Sequence, residues 1–248
     1  MRRFFIDNLQ ASAGSSVTIG GDESRHMLTV LRMGTGDRLI LINGSGTELT
    51  AEITSVEDGE VKLTVIGEMP CAAEPIHKVT LFQCLPKAGK MELIIQKCVE
   101  LGIHAIQPVY SKRCVVKPAR SDNKTVRYNR VSHEAAKQCG RAAAPEVFPV
   151  MTLSSCDFSA FDLVLVAYEG EEELTLKTVL SEFKEISATG ETGIAIVIGP
   201  EGGFEQEEVD FVMRNGKNAH SVSLGKRILR TETAGMAMLA MLMYDLEG

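Results

Sequence analysis

The sequence predicts an α/β fold, a parallel sheet with helices on both faces, preceded by a smaller unit that is mostly β. Three observations predict it. From Arg2 to about Gly67 the signals are short extended runs separated by turn residues, at the spacing of a small barrel or sandwich. "GEMPCAAEP" (67–75), with two prolines and no periodicity, reads as a linker. Beyond it, β-branched runs alternate with amphipathic stretches, the pattern of a parallel sheet covered on both sides. The chain therefore divides into residues 1–70 and 75–248.

In the first part the extended runs are "RRFFI", "SSVTIG", "DRLILIN", "TELTAEITSV" and "EVKLTVIG", with turns at "NGSG" (43–46) and "EDG" (57–59). Only "DESRHMLTVLRM" (22–33) interrupts them with a helical pattern, Asp22 or Ser24 being its cap and Met27, Leu28, Val30 and Leu31 its apolar positions. In the second part, strands are expected at 78–85, 105–110, 162–168, 193–199 and 219–225. Helices are expected at 90–102, 122–142, near 171–186, at 205–215 and at 231–247. The first of these carries Met91, Ile94, Ile95, Cys98 and Leu101 on one face and stops at Gly102. The last is apolar on nearly all sides, as expected of a helix wrapped by its own domain or buried against another copy. A second copy is the preferred reading.

The 248 residues are 44% hydrophobic and 24% charged, ordinary for a soluble globular protein. The longest apolar stretch, Ala234 to Tyr244, is too short to span a bilayer, and the N-terminus lacks the apolar core of a signal peptide. A cytoplasmic protein is expected. Six cysteines without a C-x-x-C pair read as buried thiols, and no metal site is expected. The net charge of −7 is unevenly spread. Lys112, Arg113, Lys117, Arg120, Lys124, Arg127 and Arg130 face only Asp122, so this stretch stands at +6 and the remainder at −13. Such concentration suits either a solvated face or a surface that neutralises phosphates.

Ligands of an open parallel sheet collect at the carboxyl ends of its strands. Three loops fall there: "GPEGGF" (199–204), "LGKRILRTETA" (224–234) and the segment after "LVLVAYEG" (163–170). None fits the dinucleotide or P-loop pattern, and "CLPKAGKMEL" (84–93) has Met where Ser or Thr would hold magnesium. What "GPEGGF" offers is backbone, since its glycines let a ligand approach the main chain. Its plainer reading is a tight turn with Phe204 packed beneath. The second loop concentrates Lys226, Arg227 and Arg230 before Thr231, which would cap a helix whose first turn holds Glu232 and Thr233. Glu232 there also complements the helix dipole.

"IGPEGGF" and "LGKRILRTETA", with "LPKAGKMELIIQKCVELG" (85–102) and "HEAAKQCGR" (133–141), resemble the RsmE family of SPOUT-class RNA methyltransferases, which methylate N3 of a uridine in 16S rRNA. The resemblance spans nearly the whole chain. It implies a PUA-like N-terminal β-barrel, and a C-terminal α/β domain whose last part threads a trefoil knot, a rare departure from unknotted chains. It further implies S-adenosyl-L-methionine held in the knot, the small ribosomal subunit as partner, and a homodimer to which the last helix contributes.

On that reading, the cofactor contacts are Ile198, Gly199, Pro200, Glu201, Gly202 and Gly203 on one side. Leu224, Gly225, Ile228, Leu229, Thr233 and Ala234 form the other. Arg230 is the candidate for stabilising charge on the base or for a phosphate contact, and Glu232 or Glu201 for accepting the proton directly or through water. Arg2, Arg3, Arg25, His26, Arg32, Lys87, Lys90, Lys112, Arg113, Lys117 and Arg141 are candidate RNA contacts. The rivals are a non-catalytic RNA-binding or ribosome-assembly factor on the same fold, a related methyltransferase with another RNA target, and a nicotinamide-dependent enzyme, the last opposed by the missing fingerprint.

Overall fold

The structure, a computed structural model, describes residues 1–6, 9–42, 44, 46–87, 89–117, 123–187 and 191–247. Asn43 and Ser45 of the expected "NGSG" turn, Ala88 of the 84–93 segment, and Arg120 and Asp122 of the basic run lie outside the described residues. Two compact units form, Met1–Glu74 with Lys137–Ala143, and Pro75–Ala136 with Ala144–Gly248.

The first unit holds β1 (Arg2–Phe5), β2 (Ser16–Ile19), the short α1 (Gly21–Arg25), β3 (Arg38–Ile42), β4 (Thr47–Glu57) and β5 (Glu60–Pro70). Its sheet runs β1-β3-β4-β5-β2, with β1 parallel to β3 and every other pairing antiparallel. Asp58 and Gly59 join β4 to β5 with φ of 51° and 80°, the positive pair that a two-residue primed turn needs. Alternate residues of the strands, among them Leu39, Leu41, Leu49, Ile53, Leu63 and Val65, enclose Met27 in a continuous core.

The helix expected over 22–33 is shorter than its pattern. After α1 the chain widens into a π-type turn at His26–Val30, closed by the Leu31 amide donating to the His26 carbonyl at 3.1 Å. That wider turn moves the following residues off the buried face: Met27 is fully buried, yet Val30 is 66% exposed. Arg32, at φ 53°, ends the segment in the left-handed region.

Residues 137–143 join this unit through a buried clamp. Arg141 donates to Glu74 through Nε at 3.2 Å and a terminal nitrogen at 2.8 Å, while the amides of Ala142 and Ala143 donate to the other carboxylate oxygen at 2.7 and 2.9 Å. Arg141 is 3% exposed. Burial removes this residue from the candidate phosphate contacts, because its guanidinium is fully engaged inside the protein.

The second unit begins with β6 (Lys78–Cys84), α2 (Lys90–Glu100), β7 (Ala105–Tyr110), α3 (Asn123–Cys139, its last turn in the first unit), β8 (Glu146–Val147) and β9 (Met151–Thr152). It continues with β10 (Leu163–Ala167), α4 (Leu176–Ser187), β11 (Gly193–Ile198), α5 (Gln206–Asn215), β12 (Ala219–Val222) and α6 (Thr231–Glu247). The sheet is wholly parallel in the order β12-β10-β11-β6-β7-β8, with β9 also on β7. Ala195 and Val197 of β11 point to the core shared with Val209 and Val212 of α5. Ile198 lies on the opposite face, beside Leu81 and Gly235 of α6.

The course of the C-terminal segment positions the site. β12 is an edge strand next to β10, but α6 begins in the middle of the sheet, where Thr231 bonds to Gly199 after β11 and to Gln83 of β6. Residues 223–230 therefore cross the carboxyl ends of β10 and β11. At its far end α6 is tied to the start of the unit, Glu247 accepting from the amides of Ile76 and His77 at 2.7 and 3.2 Å. Among the described residues no helix is long and apolar enough to cross a membrane.

Removing one partner from a buried ion pair leaves an uncompensated charge. Glu74→Ala is accordingly expected to lower the unfolding free energy by about 3 kcal/mol in urea titrations. An unchanged midpoint would show that the clamp is dispensable.

Candidate active site

At the carboxyl end of β11 the chain turns through Gly199–Gly203. The Gly203 amide donates to the Pro200 carbonyl at 3.0 Å, with φ of 69° at Gly203. Phe204 is buried beneath, its ring 3.2 Å from where a side chain on Gly199 would begin. A side chain on Gly203 would collide with the Glu169 carboxylate. Arg113 grips the outside of this loop, donating to the Gly202 carbonyl and to Glu205, each at 2.9 Å. The second loop is more open. Gly225 has φ 112° with nothing within 4 Å of its side-chain direction, and Ile228 is 88% exposed.

The two loops meet at the N-terminus of α6. Thr231 does not cap its own helix, as its residue type suggested; its hydroxyl donates to the Gly199 carbonyl at 2.6 Å. It accepts in turn from Gln83 Nε2 at 2.9 Å, which also donates to the Cys84 carbonyl at 3.0 Å. Both acceptors require the amide nitrogen of Gln83 on that side, and its Oε1 is left fully buried without a partner. An unmet buried acceptor costs roughly 1–3 kcal/mol. Gln83 was passed over in the sequence, where an amide inside "KVTLFQCL" was the available signal.

Lys90, at the start of α2, links the acidic groups of both loops. Its ammonium lies 3.0 Å from Glu232 and 3.6 Å from Glu201, and Glu201 also accepts from the Lys87 amide at 3.0 Å. Lys90 thus serves carboxylates within the unit and stays partly exposed. Burial pushes the Glu232 carboxyl up, but its own backbone amide, Lys90 and Arg230 together outweigh this and hold it below the usual carboxylate range. Arg230 is exposed, and no ion pair engages it among the described residues. Thr233 is exposed and Ala234 buried.

The structure therefore brings Ile198 through Gly203 together with Arg230, Glu232 and Ala234, while Ile228 stands out into solvent. These residues offer a polar ligand open backbone at Gly225 and three carboxylates on or beside the loops, Glu169 and the two that share Lys90, Glu201 and Glu232.

The candidate RNA contacts separate into paired and open groups. Lys112 pairs with Glu207 and Arg113 with Glu205, while Arg127 pairs with Glu92, so part of the basic run is neutralised locally. Lys87 and Lys117 are exposed. In the first unit Arg3 is tied to Glu48 and to the Gly140 carbonyl, and Arg25 to Asp22 at 3.2 Å. Arg2, Arg3 and His26 line one cavity of about 820 Å³ with Phe5 and Lys137, whose ammonium lies 5.8 Å above the Phe5 ring. Arg32 is exposed outside that lining.

Known proteins carry the same two domains in the same order along the chain. Residues 72–243 match the RNA methyltransferase domain family and residues 19–66 the RNA methyltransferase PUA domain family. Ribosomal RNA small subunit methyltransferase E of Bacillus subtilis (strain 168) is 34% identical over 255 residues, covering 100% of this chain and 98% of that protein. The chain belongs to the ribosomal RNA small subunit methyltransferase E family. A member from Neisseria gonorrhoeae, solved bound to S-adenosyl methionine, superposes with a TM-score of 0.75 at 29% identity, covering 98% of this chain and 97% of that one. A Legionella pneumophila methyltransferase, solved with bound SAM, gives a TM-score of 0.74 at 29% identity over 98% and 96% of the two chains. Family membership accounts for the pairing of a PUA-type unit with a parallel α/β unit.

The low position of the Glu232 carboxyl rests partly on Lys90, which makes it testable. A carboxylate whose folded value is depressed contributes stability above its unfolded value, near 4.3, and loses it as pH falls through the folded value. In Lys90→Met the Glu232 midpoint, followed by carboxyl NMR, is expected to rise, and the acid limb of stability to flatten. An unmoved midpoint would remove Lys90 from the account.

Proposed function

We propose that this chain transfers the methyl group of S-adenosyl-L-methionine to N3 of a uridine in 16S rRNA. The observation that carries the reading is the closure of two backbone loops on each other by the Thr231–Gly199 hydrogen bond, at the strand ends where a parallel sheet binds its ligands. The Gly199–Gly203 and Leu224–Leu229 segments would hold the adenosine and methionine parts, with the half-buried Leu224 and Leu229 against the adenine, while Ile198 is buried beneath the loop and Ile228 stands in solvent. When bound, the cofactor supplies an electrophilic sulfonium methyl.

The remaining tasks fall to this chain's own residues. N3 of uridine carries its proton at neutral pH, so that proton must leave and the resulting anion must be stabilised while the base is held for in-line attack. Arg230, exposed and uncommitted at the edge of the site, stabilises the negative charge on the uracil. The proton passes directly or through water to Glu232 or Glu201, the two carboxylates that share Lys90. Glu232 is held ionised by its surroundings, which leaves it free to accept but makes it a weaker base than an ordinary carboxylate.

The PUA-type unit would grip flanking RNA through the cavity lined by Arg2, Arg3, His26 and Lys137, helping to unstack the target uridine. A trefoil knot is supported by the path of residues 223–230 from the edge strand to the middle of the sheet. A homodimer is supported by the outer side of α6, where Met241 and Tyr244 are 45% and 83% exposed, and by Leu93 of α2 at 45%.

The alternative of a non-catalytic RNA-binding factor predicts no heat on titration with S-adenosylmethionine, and such a result would sink the enzyme reading. The expected result is binding, with mass spectrometry placing one added methyl on a uridine base of treated 16S rRNA. In Arg230→Ala, turnover is expected to fall about 100-fold or more while cofactor affinity stays within about twofold. Loss of cofactor binding would instead assign Arg230 to the cofactor pocket. Sedimentation of the pure protein tests the dimer, a monomer at micromolar concentration being the contrary result.

A further inference from the structure

We propose that Gln83 is a positioning residue for this pocket: by directing the Thr231 hydroxyl onto the Gly199 carbonyl, it sets the spacing of the two backbone walls. The proposal rests on the cofactor reading above. Its basis is the geometry of one fully buried amide in the central strand β6.

A threonine hydroxyl has a single proton and rotates freely unless its lone pairs are engaged. Here Gln83 Nε2 occupies the acceptor side at 2.9 Å, and the proton is left for Gly199 at 2.6 Å. Gly199 opens the first wall, and Thr231 directly follows Arg230 at the end of the second. A shift at this junction therefore changes the width between the walls. The amide's second donor bond, to the Cys84 carbonyl at 3.0 Å, holds the side chain in the orientation that serves Thr231.

The other end of Gln83 argues against a role in holding the fold together. Oε1 is buried without a partner, against Gly235 of α6, where a side chain would begin only 3.3 Å from it. A helix-interior glycine is less favourable than alanine, and an unmet buried acceptor is unfavourable in itself. An apolar residue of the same shape avoids the second of these, which offsets part of what its two lost donor bonds would cost. What glutamine supplies and methionine cannot are two donor bonds, one to the Cys84 carbonyl that orients the amide and one to Thr231 that reaches the pocket wall.

The test compares Gln83→Met, Thr231→Val and Thr231→Ser with the wild type, reading cofactor affinity by calorimetry, thermal midpoint by circular dichroism, and the split of turnover between kcat and KM. Gln83→Met is expected to fold, with a midpoint near that of the wild type, while weakening S-adenosylmethionine binding about three- to tenfold, the worth of one directed hydrogen bond. Thr231→Val should weaken it similarly, the double variant no further than either alone, and Thr231→Ser should bind like the wild type. Gln83→Met and Thr231→Val proteins that bind at wild-type affinity, with only the midpoint lowered, overturn the proposal. If Gln83→Met does not fold, Thr231→Val decides alone: weakened binding supports the proposal and unchanged binding overturns it. A wild type that binds no cofactor fails the functional reading first and takes this proposal with it, whereas a wild type that binds separates the two.

Discussion

The second unit is organised around a single contact, the Thr231 hydroxyl on the Gly199 carbonyl. It fixes the N-terminus of the most apolar helix in the chain to the loop after a central strand. From there α6 runs down one face of the sheet and buries Ala234, Gly235, Met238, Leu239 and Leu242. The same contact determines where residues 223–230 must travel, and so which side chains of that segment stand beside the glycine loop. Arg230 and Glu232 flank Thr231 in sequence, and their places at the site follow from its anchorage. Lys90 adds an electrostatic brace to the same junction by drawing Glu201 and Glu232 toward α2.

Charge near the site is arranged more locally than the total suggests. The positive run after β7 meets the acidic start of α5, where Glu205 and Glu208 form a capping box and Glu205 also receives Arg113. The arginine thereby stiffens the outside of the glycine loop through the Gly202 carbonyl. The candidate RNA contacts divide into structural clamps, such as Arg141 and Arg113, and exposed cations, such as Lys117. A charge run reports composition, whereas the partner of each charge depends on residues far away in the chain.

Much of the fold was legible because it is written in local pattern. The β-branched runs of β10 and β11 and the apolar stretch of α6 fell within a few residues of their observed bounds, and "EDG" marked the turn between β4 and β5, whose primed type only the structure shows. β8 and β9, two residues each, are too short for any period to appear. The π-type turn at His26–Val30 was hidden, since its apolar spacing matches an ordinary helix. The return of residues 137–143 to the first unit depends on Arg141 meeting Glu74, 67 positions away, and nothing in either neighbourhood signals it. At the site, the glycine loops and the acidic first turn of α6 could be read directly. Gln83 could not be given a role, because its meaning lies in partners that only the folded sheet brings near.

The separation of those partners has a consequence for how the site comes into being. Gln83 and Thr231 stand 148 positions apart, and Thr231 and Gly199 stand 32 apart. Contacts of such long range form only after the entropy of closing large loops has been overcome, and they slow folding. A chain still being synthesised can pair β6, β10 and β11 yet has no second wall until α6 has emerged. The pocket is thus among the last features to mature, and competence to bind a ligand there becomes a readout of completed folding for the whole unit.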